Sequence, residues 1–255
     1  MNRKIMQGNA EFRRQPLTGE VLAGTIKNCK TTEIDIDKVD LDRALEIADL
    51  LCPEHNGIVK PLPFSVIAND TVDTLNLVLQ YSALYTFPVV ELIDFLKGEI
   101  DDDPELEPHT AIEICAGMGW IGRGLGIPIT DSRMQERDDV RSSYLANRVV
   151  PIQYPDDVEC LDAVSAVKKY APEFVIGSYV TRLYGLGSLK QGSSFGVDTP
   201  WLVNNCRRFY HIGNDDVHYG DPIMKRPHQR LKFDWLVTRG NPEHARIYVW
   251  ENKQW

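Results

Sequence analysis

The chain has 255 residues, of which 43% are apolar and 25% charged, a mix that supplies a core and excludes global disorder. The length suits one large domain, or one domain with a smaller accessory one. Asp and Glu outnumber Lys and Arg by 37 to 28, a net charge of -9, which argues against a long polyanion as partner because nucleic-acid affinity draws on basic side chains that displace counterions. The densest basic stretch, Met224 to Lys232, reads as a solvated loop. Five cysteines at 29, 52, 115, 160 and 206 have no Cys-x-x-Cys spacing, so neither a zinc site nor a disulfide framework is expected, and the thiols suit a reducing compartment. Met1 to Ile5 leads into polar residues, not an apolar signal region. The longest uncharged stretch, Thr74 to Val90, is broken by Asn76, Gln80, Ser82 and Pro88 and makes a poor membrane span. The expectation is a cytoplasmic protein with no membrane partner and no metal.

Residues 1 to about 35 are polar, with Gly8, Pro16, Gly19 and Gly24, and read as an irregular arm. Leu41, Leu45, Ala48 and Leu51 recur at helical spacing behind Asp40 as N-cap, and Pro53 ends that helix. A second helical pattern runs from about Asp70 to Leu84. A third runs from Pro88 to Lys97, with Gly98 as its stop. The charged, proline-containing run Glu99 to Pro108 reads as a solvated linker. It divides a mostly helical region, 1–107, from a second region, 108–255. In the latter, short apolar runs alternate with helical or loop stretches. Strand candidates are Thr110–Cys115, Ile127–Thr130, Val158–Leu161, Phe174–Ser178, Phe209–Gly213, Phe233–Thr238 and Arg246–Trp250. The last two flank Gly240 to His244, a spacing for an antiparallel hairpin. The alternation predicts an α/β fold with a doubly wound, Rossmann-like sheet of seven strands and a C-terminal hairpin.

The strongest local signal is Glu113-Ile114-Cys115-Ala116-Gly117-Met118-Gly119. A buried strand ends in a tight small-residue turn, and a helix follows. Glycines there let the backbone approach a ligand, the helix start offers free N–H groups, and ligands of open α/β sheets bind outside the carboxyl ends of strands. Asp131 follows the second strand, 18 residues after Glu113, where a carboxylate can accept both hydroxyls of a ribose. Asp162 closes the third strand, where it is either a ligand acceptor or the N-cap of a helix from Ala163 to Tyr170.

The wording of this loop resembles motif I of class I S-adenosylmethionine (SAM)-dependent methyltransferases, in which an acid precedes a Gly-x-Gly-x-Gly turn. Cys115 stands where the first glycine usually is. Gly117-Met118-Gly119-Trp120-Ile121-Gly122 also fits the dinucleotide pattern, so a nicotinamide or flavin Rossmann oxidoreductase is the alternative. The methyltransferase resemblance covers residues 108 to 255. It implies that SAM is held by Glu113, Cys115, Ala116, Gly117, Met118, Gly119, Asp131, Ser132, Leu161, Asp162, Ala163 and Gly177. The segment Gly177-Ser178-Tyr179-Val180 resembles motif IV but lacks the Asn/Asp-Pro-Pro-Tyr and Pro-Cys of the DNA-base enzymes. Ser178, Tyr179 and His211 are the candidate acceptor-side residues, with His211 as a possible general base or a structural histidine, and Asp215 and Asp216 beside it. Leu183 to Gly196 carries four glycines and reads as a lid or a plain connection. The implied activity is methyl transfer to a small molecule or a protein more than to a DNA base. A catalytically silent methyltransferase fold that serves as a binding or scaffold protein is the other reading.

Overall fold

A computed structural model of the chain describes residues 34–53, 57–101, 110–146, 149–183 and 192–253. The arm before residue 34, most of the linker (102–109) and the middle of the glycine-spaced segment (184–191) lie outside the described residues.

Three helices come first. Helix α1, Leu41–Leu51, is capped by Asp40, whose carboxylate accepts the Arg43 N–H. Helix α2, Val72–Tyr81, is capped by Thr71 in the same way and ends before Ala83, which is left-handed at φ 55°. Helix α3, Val90–Asp101, runs past Gly98, where a stop was expected. Beyond the glycine, Ile100 still packs on the core and the Tyr210 hydroxyl donates to Glu99, so the last turn has tertiary reasons to form. Among the described residues, no helix is long and apolar enough to cross a membrane.

The remainder is α/β. It contains β1 (Ala111–Ile114), α4 (Trp120–Leu125), β2 (Thr130–Asp131), α5 (Asp138–Ala146), β3 (Glu159–Cys160), α6 (Ala163–Tyr170) and β4 (Phe174–Ser178). Then follow α7 (Thr199–Leu202), β5 (Arg208–Asn214), α8 (Asp215–His218), β6 (Gln229–Leu231) and β7 (Ala245–Glu251). A five-stranded mixed sheet has the order β1-β4-β5-β7-β6. β1, β4 and β5 are parallel, and β7 is antiparallel to both its neighbours. β2 and β3 form a small parallel pair, tied to β1 by a parallel bridge between Glu113 and Ile129.

Side chains alternate across the large sheet as a pleat requires. Phe174, Ile176, Tyr210, Ile212, Ile247 and Val249 face a cluster that includes Ile47, Leu79, Phe87 and Leu92 of the helical region. Val175, Phe209, Tyr248 and Trp250 face the other way, toward Ala166 and Val167 of α6 and Leu202 of α7. Both faces are thus covered, which is why β4 reads as a continuous apolar run. Residues 34–101 and the sheet share one cluster, so the helical region packs on the sheet face and reaches its carboxyl edge.

The sixth strand lies elsewhere than expected. β6 is Gln229–Leu231 and pairs with Ile247 to Val249, whereas Phe233–Thr238 forms no strand of the sheet. That apolar stretch serves the helical region instead. Phe233 and Trp235 stack on each other at 4.4 Å, and both rings pack at a tilt against Phe95 of α3. The Val237 carbonyl accepts the Phe87 N–H, and Thr238 bridges Thr86. The basic stretch 224–232 is largely partnered: Arg226 bonds Asn204, Arg230 pairs with Asp215, and Lys232 pairs with Glu243.

Candidate functional site

The described structure holds a cavity of about 280 Å³ at the carboxyl ends of β1, β2 and β4. On one side it is walled by the turn after β1. Cys115, Gly117 and Gly119 are left-handed, at φ 50°, 55° and 67°, so three alternate residues occupy the region that favours glycine. This explains the glycine spacing and makes Cys115 the one strained member. Gly119 also has no room for a side chain: a Cβ there would stand 2.6 Å from Ile129 Cγ2. Its backbone starts α4.

Two acids support this turn. Glu113 is buried and its Oε2 accepts the Gly122 N–H at 2.7 Å. Burial raises its carboxyl pKa to about 8, against the pull of the Gly122 hydrogen bond. Glu113 borders the cavity, but its hydrogen bond ties β1 to α4. Asp131 has one oxygen on the Gly117 N–H at 2.9 Å and the other on the Arg133 N–H at 2.8 Å. The Tyr154 hydroxyl bonds the same carboxylate. Burial raises its pKa, and these donors oppose the rise. Each carboxylate oxygen has two lone pairs, so Asp131 keeps acceptor capacity on the cavity side.

Of the residues named for the cofactor, Cys115, Ala116, Gly117, Met118, Asp131 and Ser132 line the cavity. Burial and the nearby acids push the Cys115 thiol well above its ordinary range, so it stays a thiol and not a nucleophilic thiolate. Gly119, Leu161, Asp162, Ala163 and Gly177 are not among the lining residues. Asp162 caps α6: Oδ1 accepts from Val164 and Ser165 N–H at 3.0 Å, and Oδ2 from the Ser165 hydroxyl at 2.6 Å. Gly177 is a packing glycine, since a Cβ there would collide with Val180 Cγ2.

The other side of the cavity contains Ser178 and Tyr179, both at the end of β4. Ser178 Oγ is 2.7 Å from Thr86 Oγ1. Tyr179 is left-handed at φ 53° and its hydroxyl donates to the Arg239 carbonyl. His211 is not at the cavity. It stands opposite Gly177, three residues before the end of β5, and is fully buried. Its Nε2 accepts the Val180 N–H at 3.1 Å, and burial holds its pKa well below the ordinary value. Its role is to pin the turn after β4. Asp215 and Asp216 are likewise engaged elsewhere: Asp215 binds Arg230, Arg246 and Tyr248, and Asp216 binds His244.

The histidine that does line the cavity is His218. It sits one helical turn beyond Asn214, which caps α8, and its Nδ1 lies 3.0 Å from the Asn214 carbonyl oxygen. Burial lowers its pKa to about 4, so its ring is neutral at pH 7. Tyr85, Tyr144, Tyr154, Gln135 and Arg239 complete the wall without having been expected there. The available signal was an Asn at a strand end followed by a short acidic turn, a capping pattern that places residue i+4 back over the strand end. No family model matches this sequence, and no curated protein matches it.

Proposed function

We propose that the protein is a SAM-dependent methyltransferase acting on a small molecule or a protein. The observation that carries this reading is the joint at Gly117 and Asp131: a left-handed turn after β1 whose N–H is held by a carboxylate from the end of β2, both facing one cavity. If the bridge from Glu113 to Ile129 is counted as a strand contact, the strands run β3-β2-β1-β4-β5-β7-β6. That supports a doubly wound, seven-stranded Rossmann-like sheet with an antiparallel C-terminal element. The order then reverses between β1 and β4, where a ligand crevice opens in such sheets.

The residues suit the cofactor in part. Asp131 would accept one ribose hydroxyl with its remaining lone pair, and Gly117, Met118 and Ser132 would present main chain to the rest of the molecule. Asp162 does not fit a role at the adenine, because it does not line the cavity and its carboxylate is engaged on the cap of α6. SAM would supply a methyl group already activated on a sulfonium. The protein's task is then to align the acceptor and exclude water.

Calorimetric titration of the full chain with SAM tests this. Binding is expected, with at least a hundredfold loss of affinity in Asp131→Ala, about 2.7 kcal/mol. Absence of binding to the folded wild-type protein would overturn the proposal. A parallel titration with NADH gives the oxidoreductase alternative its own outcome. Tritiated methyl transfer into metabolite and protein pools separates an active enzyme from a silent fold.

A further inference from the structure

We propose that the β4–β5 end of the cavity is an anion subsite, in which the Arg239 guanidinium receives the carboxylate of a small, flat organic acid. That such an acid is the methyl acceptor rests on the methyltransferase reading; the anion site rests on Arg239 and its surroundings.

Arg239 is held in place by the protein itself. Its neighbour Thr238 bridges Thr86, and its own N–H donates to the Tyr85 carbonyl. Nε donates to the Leu84 carbonyl and Nη2 to the Leu79 carbonyl, and the guanidinium carbon stands 4.0 Å from the centre of the Tyr85 ring. Leu79 lies in the last turn of α2, so the cation also caps a helix C-terminus. The cap uses two of the five N–H donors of a guanidinium, and Nη1 takes part in neither bond. Tyr144 and Tyr179 share the cavity wall with Arg239. Burial raises the pKa of both hydroxyls, and the nearby Arg239 charge opposes the rise. A charge felt by two hydroxyls of the wall is felt by a ligand that the wall encloses.

Charge balance sets Arg239 apart. Carboxylates are in excess, with a net charge of -9, and arginines elsewhere are paired with them: Arg43 with Asp70, Arg123 with Asp157, Arg207 with Glu173, Arg208 with Glu251, and Arg230 and Arg246 with Asp215. Arg239 forms no ion pair among the described residues. The carboxylates of the described cavity wall, Glu113 and Asp131, accept main-chain N–H groups at the β1–β2 end. A fixed cation with no carboxylate beside it disfavours an ammonium ligand and favours an anion.

The rest of this end suits the body of such an acid. Thr86 Oγ1 and Ser178 Oγ are 2.7 Å apart and share one hydrogen, which leaves the pair a second hydroxyl hydrogen to donate. The rings of Tyr85 and Tyr179 are 5.3 Å apart, and Phe195 adds another ring to the wall. Ring faces favour a flat, apolar body. A cavity of about 280 Å³ is at the small end for a ligand pocket, so the acid is small.

Calorimetric titration of the full chain at low salt, with and without saturating SAM, compares benzoate, its neutral isostere benzamide and the cation benzylamine. Benzoate is expected to bind about tenfold or more tighter than benzamide, the worth of hydrogen bonds to a charged group, with benzylamine weakest. Added salt should weaken benzoate and leave benzamide unchanged. Arg239→Gln should bring benzoate down to the affinity of benzamide while benzamide keeps its own. A folded variant that loses both probes together would show an arginine with a structural role alone and overturn the proposal. Equal binding of benzoate and benzamide by the wild-type protein, or no binding of benzoate, overturns it even if the variant does not fold. Benzoate binding abolished by SAM would assign the cation to the cofactor's own carboxylate and overturn it as well. If SAM binds and benzoate does not, the subsite falls and the methyltransferase reading stands. If benzoate binds through Arg239 and SAM does not bind, the acceptor role falls with the methyltransferase reading, and the anion site stands.

Discussion

The two ends of the cavity are built by different means. The β1–β2 end is made of main chain: three alternate left-handed residues, two buried carboxylates that accept backbone N–H groups, and glycines with no space beside them. The β4–β5 end is made of side chains from four separate segments, Tyr85, Tyr144, Tyr179 and His218. Main-chain geometry tolerates few residue types, because steric strain and unpaired N–H groups penalise alternatives by one or more kcal/mol each. A wall of rings tolerates many. The first construction fits a ligand that never changes, and the second fits one that defines specificity.

This contrast breaks first at Gly119. An alanine there adopts a left-handed backbone and drives its methyl into Ile129 Cγ2. Left-handed strain and overpacking together should cost about 3 kcal/mol, read as a lower urea midpoint with unchanged slope. Cys115 provides the contrast within the same turn, since it already carries a side chain at φ 50°. Cys115→Gly relieves that strain while freeing the unfolded chain, so stability should move by less than about 1 kcal/mol. Equal losses in the two variants would remove the distinction drawn between these positions.

The buried acid of the turn gives the second test. The Glu113 carboxyl has an ordinary value of 4.5 and is raised to about 8 in the folded protein. The folded state therefore holds this proton more tightly than the unfolded chain does. Its contribution is fully present below the unfolded value, falls as pH rises through the interval, and is spent above the folded value. Between about pH 5 and about pH 8 the wild type should lose a few kcal/mol relative to Glu113→Gln. The glutamine keeps an oxygen for the Gly122 N–H but cannot ionise. Parallel stability-versus-pH curves for the two proteins would contradict the burial argument.

The same contrast explains what the sequence disclosed. The turn after β1, the capping Asp40 and the position of Asp131 follow from local rules that act within a few residues, and they stand in the fold where those rules predict. Strand candidates fared well where both faces of the sheet are covered, because apolar runs then mark them. Phe233 to Thr238 misled for the same reason: an apolar run buried against α3 and the Thr86 segment looks like a strand buried in a sheet. His211 and His218 show the limit more sharply. One lies within β5 and one a turn beyond it, and only the register with β4, which sets Gly177 opposite His211, decides which reaches the cavity.

Asp162 is the smallest of these tests and bears on both ends. A carboxylate that closes a third strand suits a ligand acceptor and a helix cap equally well as a sequence. In the fold, its oxygens take two N–H groups and a hydroxyl at the start of α6. Asp162→Ala should therefore cost about 1 kcal/mol of stability, the usual worth of an N-cap. SAM affinity should stay within about twofold of wild type by calorimetry, because a capping residue outside the cavity adds no differential binding. A tenfold loss of affinity with unchanged stability would show that the carboxylate leaves its cap for the ligand. The helix start would then be a switchable element of the cofactor site, and the division between a rigid main-chain end and a variable side-chain end would have to be redrawn at α6.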